Sequence, residues 1–219
     1  MKPIEIIKIA FNLAVVYVIG GLLIAVIYAY TSPVKFQKEK EEKEAALQTM
    51  MPEADQVEEL GMWEPHHKHS EYYAARKCGE VKIEKVTDEK TGKSKEIKKC
   101  INGTDIGYIA ESYGKGYSSY IHVFVSLGND LLIKKVKILG HKETPGLGDE
   151  VEKDYFLDQF VGKTADDLVV VKTETDKNIQ AITGATISTR AVAEDAVKNA
   201  VNMLKEKLGS GNSTSEVEK

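Results

Sequence analysis

Residues 121–139 read IHVFVSLGNDLLIKKVKIL, and this stretch decides the fold. Ile121, Val123, Val125 and Leu127 alternate with His122, Phe124 and Ser126, the period of a strand with one buried face. Gly128-Asn129-Asp130 supplies turn residues before Leu131–Leu139 resumes as a second strand, so the stretch predicts a β-hairpin. Downstream, over 190–208, the period changes. Ala193, Val197, Val201, Leu204 and Leu208 recur every three or four residues as one apolar helix stripe. Lys205 and Lys207 suit the last turn of that helix and Gly209 its C′ position. A helix stripe meeting an apolar strand face makes an α+β core.

Upstream of the deciding hairpin, residues 80–101 carry a second one: VKIEKV, a turn around TDEKTGK, then EIKKCI. Folded about residue 89, it sets Cys78 and Cys100 roughly opposite each other. In an exported domain they are expected to form a disulfide; the alternative is two independent reduced thiols. Ile106–Glu111 and Leu168–Lys172 are further strand candidates. The expected fold class is α+β, mainly antiparallel sheet with packed helices, preceded by one N-terminal transmembrane helix.

That helix is read from IAFNLAVVYVIGGLLIAVIYAY, residues 9–30, which holds no charge. At about 1.5 Å per residue these 22 residues reach roughly 33 Å, enough for a hydrocarbon layer of ~30 Å. The apolar run is longer than the core of a cleaved signal peptide, the competing reading, and a single retained anchor is expected. VKFQKEKEEKEAALQTM, residues 34–50, continues as a charged juxtamembrane helix stopping before Pro52. Expected boundaries are therefore 1–31 for the anchor, 32–52 for the charged helix, 53–208 for the globular domain and 209–219 for a disordered tail. Lysines flank both ends of the apolar run, so charge alone does not orient it.

Composition excludes several classes. With 30 Lys+Arg against 34 Asp+Glu and a net charge of −4, nucleic acid is not an expected partner. Arg76 and Arg190 are the only arginines. Two cysteines make no structural zinc site unaided, and no CxxCH motif for haem attachment is present. The EPHHKHS run with His66, His67 and His69 reads either as an exposed polar turn or as an incomplete metal site.

Chemistry concentrates in two motifs. IQAITGATISTRAV, residues 179–192, places small Gly184 and Ala185 among the hydroxyls of Thr183, Thr186, Ser188 and Thr189, just ahead of the amphipathic helix. Such a segment is either an ordinary helix cap or a phosphate-binding start. HKETPGLGD, residues 141–149, follows a strand, and its Gly146 and Gly148 bracket Leu147. That is either a surface turn or one presenting an apolar side chain to a flat aromatic ligand. Gly114-Lys115-Gly116-Tyr117 is a third place where backbone can approach a ligand.

HKETPGLGD followed about forty residues later by ITGATISTRAV, behind a lone transmembrane helix, resembles the covalent FMN-binding domain found in the G subunit of the Rnf electron-transport complex. The domain also occurs in the C subunit of the sodium-pumping NADH:quinone reductase, and the ISTRAV ending favours the Rnf member. The resemblance implies FMN bound through its phosphate to Thr186, attached by a flavin transferase that uses FAD as donor. It implies that Thr183, Gly184 and Ala185 shape the attachment segment. Leu147, with Gly148 in the same turn, would lie against the isoalloxazine, and Glu143 and Thr144 would offer polar contacts. It further implies an electron relay working with other membrane and iron–sulfur subunits, single-pass in the cytoplasmic membrane, N-terminus inside and FMN domain outside. A subunit of the quinone reductase, or a flavin-free membrane-anchored scaffold, are the alternatives. Gln180 stands where the family usually carries Asp, three residues before Thr183, and the hairpin bearing Cys78 and Cys100 has no counterpart in the family pattern.

Overall fold

The computed structural model describes residues 3–87 and 94–211. Residues 88–93 of the expected turn and the expected tail beyond 211 lie outside the described residues. The chain divides into two units, one up to Ala45 and one from Ala46 onward.

Helix α1 (Pro3–Met50) supplies the first unit. It continues through Pro33 as helix, and its apolar side chains, among them Phe11, Leu23 and Ile27, are exposed. Its most apolar stretch has a mean hydropathy of 2.5 and is long and apolar enough to cross a membrane. The last turn of α1, from Ala46, belongs to the second unit.

The second unit is built on a five-stranded antiparallel meander: β1 (Gln56–Trp63), β2 (Ser70–Thr87), β3 (Ser94–Lys115), β4 (Tyr120–Gly128) and β5 (Ile133–Gly140), adjacent in that order. β3 carries on past the expected end of the cysteine hairpin and absorbs the separate candidate Ile106–Glu111. Asn102 at φ 56° is accommodated inside the strand, a conformation that asparagine tolerates. Thr87 pairs with Ser94, so the hairpin centre lies beyond residue 89; Cys78 faces Gly103 and Cys100 faces Val81. The two cysteines are therefore diagonal rather than opposite. They are nonetheless disulfide partners, with Cα atoms 5.3 Å apart.

One face of β4 behaves as its alternation predicts. Ile121, Val123, Val125 and Leu127 are fully buried in a core with Phe156, Phe160, Val192, Val197, Val201 and Leu204. Each such side chain contributes about 1.5–3 kcal/mol relative to exposure. The other face differs from the half-exposed strand expected. Phe124 and Ser126 are also buried, under Met50, Met51, Tyr73 and Ile109. The cover comes from the final turn of α1, where Ser126 Oγ donates to the Met50 carbonyl at 3.2 Å. Lys135 Nζ donates to the Thr49 carbonyl at 3.1 Å, meeting a carbonyl that the helix end leaves unpaired.

The β4–β5 turn is longer than expected. Leu131, at φ 60°, belongs to the turn, and β5 starts at Ile133. Four short helical pieces follow β5: a 3-10 turn at Gly148–Glu152, α2 (Asp154–Leu157), and 3-10 turns at Asp158–Phe160 and Ala165–Asp167. The candidate Leu168–Lys172 shortens to β6 (Val170–Val171), which pairs in parallel with β7 (Ile179–Gln180). The C-terminal helical run starts earlier and ends later than its apolar stripe indicated. It comprises α3 (Thr186–Arg190), a π-helical segment Ala191–Val197, and α4 (Lys198–Gly211).

Candidate functional site

Gly114 sets the position of the C-terminal helical run. A Cβ there would stand 1.8 Å from the Ala191 carbonyl oxygen, so β3 and the helix meet backbone to backbone at the start of the π-helical segment. π-helical turns are frequent at functional sites. Thr186 starts this helical run and shares a cleft with Tyr117 of the β3–β4 turn.

Two separate segments, the β3–β4 turn and α3, converge there on the Glu143 carboxylate, which the turn after β5 carries. Oε1 accepts the backbone N–H of Ser118 (3.0 Å) and Ser119 (3.2 Å). Oε2 accepts the N–H of Tyr117 at 3.1 Å and the hydroxyl of Ser188 at 2.6 Å. The residue is only 5% exposed. Burial pushes its pKa up, but the bonds from Ser188 and from the Ser118, Ser119 and Tyr117 amides outweigh it and hold the carboxyl below its ordinary range. Glu143 is thus an ionised knot tying the β3–β4 turn, the turn after β5 and α3 together. Its tight surroundings require glycine twice: a Cβ on Gly116 would lie 2.5 Å from Glu143 Oε1, and one on Gly148 2.8 Å from Ser188 Oγ.

A second knot shapes the segment before Thr186. Thr189 Oγ1 accepts the Ile182 N–H at 3.1 Å and donates to the Ala185 carbonyl at 2.9 Å, with the side chain fully buried. This folds residues 182–185 into a turn in which Gly184 takes φ +82°. In such a conformation a side chain is strained.

Between these knots lies an open cleft of about 520 Å³, within the size range of ligand sites. Glu143, Thr144, Leu147, Gly148, Gly184, Ala185 and Thr186 all line it. Thr183 does not. It is exposed and lines a separate polar cavity with Gln180 and Tyr155, while the hydroxyl that ties the segment down is that of Thr189. Glu143, in the lining as expected, also accepts from four donors of the scaffold. Tyr117, from the glycine turn expected to approach a ligand, and Ser188, from the hydroxyl-rich segment, join the lining, as does Ile187, for which no ligand contact was expected. Ile187 was legible in principle, as an apolar residue off the helix stripe. The expected polar histidine turn is present in part: Pro65–His67 forms a 3-10 turn, His66 Nε2 pairs with Asp195 at 2.8 Å, and no metal cluster occurs among the described residues.

The cleft fits a flavin on its own terms. Leu147, Ile187 and Tyr117 form an exposed apolar rim that a planar ring can cover, and small Gly184 and Ala185 leave the floor open. The Thr186 hydroxyl stands on the first residue of the helical run, where unpaired N–H groups favour phosphate.

Fold and cleft together define a flavin-nucleotide domain carried behind a membrane-type helix, and residues 116–202 match the FMN-binding domain model. The G subunit of the proton-translocating ferredoxin:NAD(+) oxidoreductase complex of Clostridium ljungdahlii is 34% identical over 91% of this chain and 92% of its own length. The chain belongs to this family, the G subunits of Rnf complexes, and it lies in a membrane. The G subunit of the ion-translocating oxidoreductase complex of Aliivibrio fischeri is 37% identical over 46% of this chain and 50% of that one. Its counterpart in the Na(+)-translocating ferredoxin:NAD(+) oxidoreductase complex of Acetobacterium woodii is 37% identical over 54% and 56%. Of these last two relatives the chain spans about half the length. Among solved structures, the C subunit of the Na(+)-translocating NADH-quinone reductase of Parabacteroides distasonis aligns with a TM-score of 0.43 and 22% identity, over 64% of this chain and 63% of that one.

Proposed function

We propose that the chain is the electron-relay subunit of an Rnf-type ferredoxin:NAD oxidoreductase, holding FMN as a phosphoester on Thr186, with the FMN domain outside the cytoplasmic membrane and the N-terminus inside. The observation that carries the reading is the placement of Thr186 on the cleft wall, facing the Leu147 turn and flanked by small Gly184 and Ala185. Flavin, when bound, supplies the redox chemistry; the protein supplies placement and tuning.

The residues divide the work. Thr186 Oγ1 would supply the oxygen of the new O–P bond and give up its proton, with AMP as the leaving group from FAD. A threonine alcohol is a poor nucleophile unaided, and a separate flavin transferase provides the activation. Thr189 and Gly184 hold the acceptor turn in shape, Glu143 fixes the facing turn, and Leu147 and Ile187 shield one side of the ring from water. A tethered carrier cannot diffuse, so it works by exchanging electrons with neighbouring membrane and iron–sulfur subunits. The Cys78–Cys100 pair supports the extracytoplasmic side, where disulfides persist.

Co-expression with the transferase tests the reading: the wild-type band should fluoresce in a denaturing gel under ultraviolet light, and Thr186→Ala should be dark. A fluorescent Thr186→Ala band, or a dark wild-type band, would refute the linkage. The flavin-free scaffold alternative draws only on Gln180, whose side chain lies on the neighbouring cavity rather than on the cleft wall.

A further inference from the structure

The cleft holds a carboxylate and, among the described residues, no cation. Its lining carries Glu143 and the hydroxyls of Thr144, Thr186 and Ser188, without a lysine, arginine or histidine. A phosphodiester on Thr186 is an anion at neutral pH, and it would sit in the same cleft as the ionised Glu143. Two like charges that share a partly buried site destabilise each other unless a cation joins them.

We propose that Arg190 is that cation: its guanidinium leaves Glu194 and clamps the phosphodiester oxygens at Thr186. The inference rests on the covalent attachment proposed for Thr186. Thr186 and Arg190 are the first and last residues of α3. Side chains four apart share a helix face with Cβ atoms roughly 5–6 Å apart. Their Cα–Cβ bonds tilt toward the helix N-terminus, so on leaving Glu194 the long arginine can swing back over Thr186.

Arg190 is available for the move. Its side chain is 59% exposed, and its one partner among the described residues is Glu194, at 3.7 Å from Nε to Oε2, beyond hydrogen-bond range. Glu194 has another tie, accepting the Val170 N–H at 2.7 Å, so it is not orphaned when Arg190 departs. The planar guanidinium fork matches phosphate in a way that a lysine does not. Arg76, the other arginine, is committed to Asp105 and Glu58 on the far strands.

The test uses the full chain, co-produced with the transferase, as wild type, Arg190→Gln, Arg190→Lys and Lys142→Gln. Intact mass first establishes that wild type carries FMN; a wild-type chain without it overturns the covalent reading and the clamp together. On loaded protein, the phosphorus NMR shift and the rise in Tm over the flavin-free Thr186→Ala background are measured. Arg190→Gln is expected to move the phosphorus resonance and lose most of the Tm gain. Lys142→Gln is expected to change neither, and Arg190→Gln in the flavin-free background should melt with its parent. Loaded Arg190→Gln with the wild-type resonance and the wild-type Tm gain would overturn the clamp. If Arg190→Gln folds but loads poorly, rescue of loading by Arg190→Lys supports the charge contact, and failure of that rescue contradicts it.

Discussion

Ser188 Oγ donates to Glu143 Oε2 across 2.6 Å, joining residues 45 positions apart in the chain. Because the same carboxylate also accepts three backbone amides of the β3–β4 turn, the geometry of the cleft hangs on one ionised side chain. Glu143→Gln replaces one acceptor oxygen with a donor that faces other donors. The expected cost is about 2 kcal/mol or more, read as a lower Tm in the flavin-free protein, together with weaker flavin loading. A Glu143→Gln protein as stable as wild type would contradict the knot.

Acid should act through the same group. The folded-state pKa of Glu143 lies below its ordinary value of 4.5, so folding favours the ionised form. Its contribution is fully present above that ordinary value and is lost as pH falls through the depressed one. Melting wild type and Glu143→Gln between about pH 7 and 3 should show the Tm gap closing on the acid side. A gap that stays constant across the range would show that ionisation of Glu143 plays no part.

Thr189→Val keeps the shape of the side chain and removes both hydrogen bonds that fold the 182–185 turn. Leaving the buried Ile182 N–H unpaired costs about 1–3 kcal/mol. Denaturant unfolding should show that loss, and loading by the transferase should slow while Thr186 itself is intact. Thr183→Val, at the exposed position on the other cavity, should cost far less stability.

Gly114→Ala tests how the helix is seated. The new methyl would meet the Ala191 carbonyl, which is backbone and cannot swing aside. Overpacking of this kind costs about 1–3 kcal/mol and can exceed it, so the variant should lose Tm and flavin loading together. Retention of both would mean that the helix can ride higher on β3.

Thiol titration of the unfolded, unreduced protein from its native membrane should find no free thiol, as the Cys78–Cys100 pairing requires. Closing a loop of this length is worth about 3 kcal/mol through the unfolded state, so reduction should lower Tm. Two titrated thiols would also remove the support that the pair gives to the extracytoplasmic side.

Much of this was legible in the chain, for identifiable reasons. Ile121–Leu127 announced a buried strand face because alternation is a local property, and the Val197–Leu204 stripe announced its helix for the same reason. Leu147 stood out because glycines bracket it and Thr186 because small Gly184 and Ala185 precede it, and both line the cleft. Burial of Phe124 was not legible, since its cover, Met50, ends a charged helix more than seventy residues earlier. Nor was the meeting of Glu143 and Ser188, which depends on tertiary convergence. The π-helical segment leaves no mark in hydrophobic period, and nothing local shows that the turn through Gly184 sends Thr183 and Thr186 into different cavities.

The most direct measurement is peptide mass mapping of the protein taken from native membranes, focused on the fragment that contains Thr186. The account predicts that this fragment carries the mass of FMN less one water, localised to Thr186. Recovery of that fragment wholly unmodified, from membranes in which the complex is active, would contradict it.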